Sequence, residues 1–313
     1  MNMAQNLSER EFAACYLKLS PAELEKRIRA AFKLLAPCRL CPRKCGVDRP
    51  AGEKGVCGAG EVPEVSSSNL HHGEEPVLSG WRGSGTIFFA HCNLRCVFCQ
   101  NYPISQLGHG NEAEPQHLAQ MMLDLQKDGA HNINFVTPTH MVPWIIEAVA
   151  IAREQGLKIP LLYNCGGYES REELRLLDGI IDIYLPDMKY NDNQAAKKYS
   201  NAPDYVEVNR AAIKEMRRQV GDLVTDDTGI AMRGLIIRHL VLPEGLAGTE
   251  GIMKFIAEQV SRKTAISLMS QYFPAHRARE FPELCRRINQ SEYALAEQAM
   301  SEQGLEEGWK QGM

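Results

Sequence analysis

Thr86-Ile87-Phe88-Phe89-Ala90 runs directly into His91-Cys92-Asn93-Leu94-Arg95-Cys96-Val97-Phe98-Cys99-Gln100-Asn101. The first five residues are mostly β-branched, aromatic or apolar, the composition of a short buried strand. The eleven that follow set three cysteines at a Cys-x3-Cys-x2-Cys spacing on a loop. Three thiolates on one short loop can wrap a cubane [4Fe-4S] cluster and hold all but one of its irons. The remaining iron stays open, as catalytic zinc sites keep a position that structural ones close. Spacing alone admits two other readings: a zinc completed by a ligand elsewhere in the chain, or a disulfide between two of the three.

Outward from this loop the pattern becomes regular. Apolar runs at 86–90, 133–136, 160–164, 181–185, 235–242 and 265–268 alternate with helical periodicity at 115–129, 144–154, 171–177, 195–199 with 212–220, and 250–260. Two more helices are expected at 282–288 and 292–301. Consecutive β-then-α units imply a parallel sheet with right-handed crossovers. The fold class is therefore α/β, a partial (β/α)6 TIM-type barrel of parallel strands with an N-terminal Cys-rich metal-binding segment. The expected divisions are 1–84 for an N-terminal helix and the Cys-rich segment, 85–275 for the barrel, and 276–313 for C-terminal helices. Residues 61–84 read as loop, wrapping the base or mouth of the barrel.

In such barrels chemistry gathers at the carboxyl ends of the strands. That rim reads Cys92, Cys96 and Cys99, then Thr137-Pro138-Thr139-His140, Asn164-Cys165-Gly166-Gly167, Asp187-Met188-Lys189, Arg238-His239 and Ser270-Gln271-Tyr272. Asp187 and Lys189 are two apart, so an extended chain points both to one side. Arg238 lies inside an apolar run, a costly place for a cation without a partner or ligand. Each has an ordinary explanation by itself; together they describe a polar, multidentate ligand held over the barrel beside the cysteine loop. Cys165 lies on the same rim, where a packing role is expected.

Upstream, Ser20-Pro21-Ala22-Glu23 is a capping box opening a helix through Leu24, Ile28, Ala31, Phe32 and Leu35, with Pro37 as its stop. It leads to Cys38, Cys41, Cys45 and Cys57 among glycines and prolines. Four thiols in a segment with little regular structure need something to fold around, and a bound metal supplies that energy. A structural zinc and an auxiliary four-iron cluster fit the spacing equally. Cys15 and Cys285 are isolated and read as packing residues.

The 313 residues, 44% apolar and 24% charged, are those of a globular chain with room for a large core. A net charge of −4 gives no basic field for a nucleic acid. No apolar run approaches the ~18 residues that span a bilayer, and residues 1–11 lack the apolar core of a secretory signal. A cytoplasmic protein is expected.

The loop resembles the radical SAM superfamily, whose signature is Cys-x3-Cys-x-aromatic-Cys: Cys92, Cys96, Phe98 and Cys99 match it. Cys99-Gln100-Asn101 is similar to the continuation in pyruvate formate-lyase-activating enzymes, and the whole chain, Cys-rich block included, looks like uncharacterised homologues of those activases. The resemblance implies that the open iron takes S-adenosylmethionine (SAM) and that reduction yields radical chemistry on a substrate. It implies that Phe98 packs near the adenine and that Asp187 and Lys189 match the family's Asp-x-Lys pair. It places Arg238 where an arginine meets the SAM carboxylate, and Asn164 where an Asp-Thr pair stands. A departure falls on the second strand, where Gly-Gly-Glu is replaced by Thr137-Pro138-Thr139-His140; Thr139 and a neutral His140 are left as acceptors for the SAM amino group. A hydrogen-abstracting enzyme on an unidentified substrate, such as a protein glycine, is the functional expectation, fed by an electron donor such as a flavodoxin or ferredoxin. The rival is a non-catalytic iron–sulfur or zinc protein serving as electron carrier or scaffold, with closed four-ligand sites.

Overall fold

The structure is a computed structural model describing residues 12–312, so the reading of residues 1–11 lies outside the described residues. Helix α1 (Pro21–Phe32) carries the expected capping box: the Ser20 side chain accepts from Glu23 N, and the Glu23 carboxylate accepts from Ser20 N at 2.8 Å. It stops short of Leu35, in a turn that feeds the Cys-rich segment.

Residues 61–84 are not the loop expected. They form strand β1 (Glu64–His71) and the single-turn helix α2 (Pro76–Ser79) before β2 (Ser84–Phe89), which runs into the cysteine loop. Next come α3 (Tyr102–Ser105), β3 (Asn111–Glu112), α4 (Pro115–Lys127), β4 (Ile133–Val136), α5 (Val142–Glu154), β5 (Leu161–Cys165), α6 (Arg171–Leu177) and β6 (Ile183–Pro186). The chain continues through α7 (Asn193–Ser200), α8 (Tyr205–Val220), β7 (Val224–Thr225), β8 (Ala231–Leu240), α9 (Thr249–Gln259) and β9 (Ala265–Met269), and closes with α10 (Gln290–Glu302) and β10 (Gly308–Lys310). The helix expected at 282–288 is only a 3-10 turn at Pro282–Leu284; Leu284 and Ile288 are buried, but Cys285, Arg286 and Arg287 between them are exposed and lie outside any helix.

The strands form one open sheet in the order β10-β9-β8-β6-β5-β4-β2-β1-β3, with β7 on β8. The six expected strands, β2, β4, β5, β6, β8 and β9, are parallel neighbours. β10 adds a parallel edge, and β1 with β3 an antiparallel one. The fold is therefore the α/β partial barrel expected from the sequence, with its Cys-rich segment in front.

Alternate residues of each strand face opposite ways. Leu161, Tyr163, Cys165, Tyr184 and Ile237 join the large core shared with the helices. Leu162, Ile183, Leu185 and Ile236 form a second cluster on the inner face, into which Leu78 of α2 inserts. Because His71 pairs with the first residue of β2, the chain leaves β1 at the amino end of the barrel, and α2 plugs that end. Asn132 fastens the plug by donating to Leu78 O at 2.9 Å. Full burial of Leu78 contributes about 2 kcal/mol to holding it there.

Candidate active site

The cysteine loop starts on a strained residue, His91, with φ of 73°. It is pinned by Asn93 Nδ2 donating to Tyr168 O at 2.6 Å and Val97 N donating to Tyr199 O at 2.8 Å. Cys92, Cys96 and Cys99 are free thiols, so the disulfide alternative is not what this loop builds. Polar groups meet the sulfurs, and at Cys99 either the thiol or the Ser105 hydroxyl can donate. Leu94 N lies 3.3 Å from Cys92 Sγ, Ser200 Oγ 2.9 Å from Cys96 Sγ, and Ser105 Oγ 3.1 Å from Cys99 Sγ. Burial pushes the Cys92 thiol up, and the neighbouring Cys96 adds to it; burial also raises Cys96, against the pull of Lys189. Thiols of that kind become thiolates when a bound cationic centre repays the desolvation, and the waiting donors suit sulfur carrying charge. The residues thus fit an iron–sulfur cluster. Among the described residues no three His, Cys, Asp or Glu side chains are gathered tightly enough for a single ion.

Four of the expected residues meet beside this loop. The register pairs Asn164 with Leu185 and bridges Asp187 to Arg238, which brings β5, β6 and β8 to one level. Arg238 donates from Nε to Asp187 Oδ1 at 2.9 Å and from Nη2 to Asn164 Oδ1 at 2.6 Å. Lys189 Nζ reaches Asp187 Oδ2 at 2.6 Å. Burial works against the Asp187 carboxylate, yet Arg238 and Lys189 hold it below the usual range. Burial likewise opposes the Lys189 ammonium, but Asp187 and Cys96 raise it above its ordinary value. Lys189 therefore ties the charged group to the cysteine loop. Gly167 makes the arrangement possible: its φ is 75°, and a Cβ there would stand 2.1 Å from Asp187 O.

One member was missed by the sequence reading. Glu74, just ahead of the plug helix, reaches up the barrel, and its Oε2 accepts from Asn134 Nδ2 and from Asn164 Nδ2, each at 2.8 Å. Its Oε1 lies 3.8 Å from Arg238 Nη1. The available signal was a charge imbalance, two rim cations against one rim acid. Beneath this group, two buried acceptors, Glu75 Oε2 and Asn134 Oδ1, have no hydrogen-bond partner.

Thr139 and His140 are not brought to this group. The Thr139 hydroxyl donates to Glu169 Oε1 at 3.0 Å, in a buried cluster where Tyr163 OH also meets Glu169 Oε2 at 3.1 Å and Glu173 Oε1 at 2.6 Å. His140 Nε2 bonds Ala90 O at 2.7 Å, and burial pushes the ring down to about 3, so it is neutral with Nδ1 left as an unpartnered acceptor. Thr137, at the turn after β4, has φ of 58°, a strained state for a β-branched residue where a glycine would be at ease. Phe98 packs edge-on between Tyr190 and Tyr272 at 6.4 and 5.9 Å. Cys165 is buried and faces the helices, the packing role expected of it.

A parallel partial barrel carrying three free cysteines on its first strand-end loop, with a charged group at the ends of β5, β6 and β8, defines a class: barrels that hold an open cluster over their strand ends. The radical SAM superfamily profile matches residues 86–236. The chain belongs to that superfamily. Membership implies a [4Fe-4S] cluster, SAM and radical catalysis. The chain is 31% identical over 288 residues to uncharacterized protein MJ0674 of Methanocaldococcus jannaschii, covering 89% of this chain and 78% of that one. It is 22% identical over 267 residues to MJ0808 of the same organism, covering 78% and 73%. Similar solved structures include a domain of pyruvate-formate lyase-activating enzyme from Bacteroides vulgatus, with a TM-score of 0.42, 14% identity, and coverage of 58% of this chain and 98% of that one. Streptococcus suis SuiB bound to precursor peptide SuiA gives a TM-score of 0.48 at 10% identity, covering 71% of this chain and 46% of that one. No helix among the described residues is long and apolar enough to cross a membrane.

Proposed function

We propose that Cys92, Cys96 and Cys99 hold the cluster and that Asp187, Lys189, Arg238 and Asn164 orient SAM beside it. When bound, the cluster supplies an open iron and one electron, so that SAM is cleaved to methionine and a 5′-deoxyadenosyl radical that abstracts hydrogen from the substrate. The chain's own residues prepare that event. Arg238 has three nitrogens and commits Nε to Asp187 and Nη2 to Asn164, which fixes the fork so that Nη1 can turn to a carboxylate. Lys189 keeps Asp187 ionised as an acceptor for ligand hydroxyl or amino groups. Phe98, between two tyrosines, gives an aromatic edge for a base and helps keep water from the reacting atoms. The single observation that carries this reading is the Asp187–Lys189–Arg238 group standing against a trio of free, donor-fringed thiols.

The hydrogen donor is a group presented at the mouth of the strand ends. A glycine of a partner protein is the substrate class we put forward first, with a flavodoxin or ferredoxin as reductant, in a reducing cytoplasm where free thiols persist. The test is anaerobic reconstitution with iron and sulfide, reduction, addition of SAM, and chromatography for 5′-deoxyadenosine, with Cys96→Ala alongside. The nucleoside is expected from the intact chain only. A fully loaded chain that makes none, and whose cluster EPR spectrum ignores SAM, would sink the reading in favour of an electron carrier.

A further inference from the structure

Arg49 is the least expected residue of the Cys-rich segment. Only 1% of it is exposed, and its guanidinium lies over the Trp144 ring at 4.9 Å. Nε donates to Gly60 O at 3.0 Å and Nη1 to His140 O at 2.7 Å, while Nη2 is buried with no partner. Among the described residues no carboxylate pairs with it. A buried cation without a counter-ion costs several kcal/mol, and proteins avoid the arrangement unless an anion completes it.

The surroundings supply one. Cys38 N donates to Val47 O at 2.8 Å and Gly46 N to Cys38 O at 2.9 Å, which folds residues 38–47 into a small knuckle with Cys41 and Cys45 towards its tip. The chain returns so closely that a Cβ on Gly55 would stand 2.5 Å from Cys45 Sγ. Cys57 follows two residues later. Cys38 and Cys41 each lie within electrostatic reach of both Cys45 and Cys57, and Cys38 also feels Arg49. Cys38, Cys41 and Cys57 are buried, and all four are free. Apart from a single bridge between Leu35 and Cys38, residues 33–63 contain no strand or helix to hold this burial in place.

We propose that Cys38, Cys41, Cys45 and Cys57 hold a second metal centre, an anionic tetrathiolate, and that Arg49 is its built-in counter-ion. Since no three such side chains among the described residues are gathered tightly enough for a single ion, the four thiols suit a [4Fe-4S] cluster, and four thiolates around its dipositive core leave a dianion. The centre also fastens the segment to the first site. Arg43, between Cys41 and Cys45, donates to Asn93 O at 2.8 Å and to Ser200 O at 3.1 Å. Arg95 reaches Val56 O at 3.4 Å, and Gly58 passes so close to His91 that a Cβ there would stand 3.0 Å from the ring's Nδ1. Both cysteine groups thus share one wall, with the second bracing the loop of the first.

The experiment uses the full chain carrying Cys92→Ala, Cys96→Ala and Cys99→Ala, so the first cluster cannot contribute and its failure cannot be confused with this one. The protein is loaded anaerobically with zinc, or with iron and sulfide, then desalted and assayed for each element. Retention of about four irons with sulfide is expected and the zinc arm should hold nothing; a retained zinc ion in place of the cluster overturns the assignment. Adding Cys41→Ser and Cys45→Ser should abolish it. Failure to retain either load, or equal retention without those two cysteines, overturns the site. For Arg49, chelator competition is the readout: Arg49→Gln should weaken the metal about 10- to 100-fold, while Arg49→Lys, which keeps the charge, stays near the parent. Circular dichroism checks that both fold. Unchanged affinity in Arg49→Gln, or equally weak binding in a folded Arg49→Lys, overturns the counter-ion role.

Discussion

The two cysteine groups are built in opposite ways. Cys92, Cys96 and Cys99 leave the end of β2, and the register of three further strands delivers Asn164, Asp187 and Arg238 beside them. Every charge there faces one of opposite sign: Arg238 and Lys189 share Asp187, and Glu74 approaches Arg238 from below. Cys38, Cys41, Cys45 and Cys57 have no sheet beneath them and a lone buried arginine for company. The first site's shape is laid down by the fold before any cofactor arrives; the second takes part of its shape from what it binds.

The sharpest way to break this contrast is to remove thiols from each group. Cys96→Ala should eliminate 5′-deoxyadenosine formation while the urea midpoint of the apo chain moves by no more than about 1 kcal/mol equivalent, since the sheet and not the thiol shapes that loop. A double Cys41→Ser, Cys45→Ser change should instead cost the loaded chain several kcal/mol, because there the metal's binding energy is folding energy. If Cys96→Ala unfolds the barrel, or the double variant melts like the parent, the distinction falls.

Within the first site, Asp187→Asn should be the most damaging single change. It strands Arg238 and Lys189, both largely buried, without the acid that they share, and the loss of one partner from such a group costs about 3 kcal/mol or more. SAM affinity, read by equilibrium dialysis on the loaded chain, should fall with it. Glu74→Gln is the milder counterpart, about 1–2 kcal/mol, because the amide oxygen can still accept from both asparagines while the charge opposite Arg238 is gone. Equal penalties for the two would show that Glu74 is as central as Asp187. Neither change should alter metal retained by residues 38–57.

How much of this was legible in the sequence follows the same division. The six parallel strands were readable because buried β-branched runs alternate with helical periodicity, and the rim residues followed from where those runs stop. β1 escaped because Glu64-Val-Ser-Ser-Ser-Asn-Leu-His71, covered beyond β2 only by the two-residue β3, is largely polar with little apolar alternation. With β1 went the position of Glu74, which depends on where that strand ends. β10 escaped because three residues, Gly308-Trp309-Lys310, carry no periodicity. Thr139 and His140 were placed on the right loop, but a spacing does not tell which way a short 3-10 turn will aim its side chains. Thr139 turned to a buried glutamate that no motif announces. The thiols of residues 38–57 were plain; the solitude of Arg49 was not, since absence of a partner is visible only in three dimensions.

That hidden glutamate gives the last test, one that separates the helix-facing side of the sheet from the balanced charges inside the barrel. Glu169 is buried with Thr139, Tyr163 and Glu173 around it and, among the described residues, no cation paired with it. Burial raises its carboxyl from the ordinary 4.5 to about 7, although hydrogen bonds from Thr139 and Tyr163 pull the other way. The folded state therefore holds a proton that the unfolded chain has released between those two values. Folding is favoured by this group below pH 4.5, and the advantage is lost as pH rises through 7. Asp187 has the opposite sign, its carboxyl being held down by cations, so it lends stability at high pH and loses it on acidification. Urea midpoints of wild type and Glu169→Gln, compared from pH 5 to pH 8, cancel Asp187 and the other groups that do not touch Glu169; Glu173, which does, titrates with it. The variant should gain on wild type from pH 5 to about 7, level off above that, and be the more stable of the two at pH 8. Parallel curves would mean that Glu169 is already ionised in the folded chain and has a cationic neighbour, which would make the two faces of the sheet electrostatically alike.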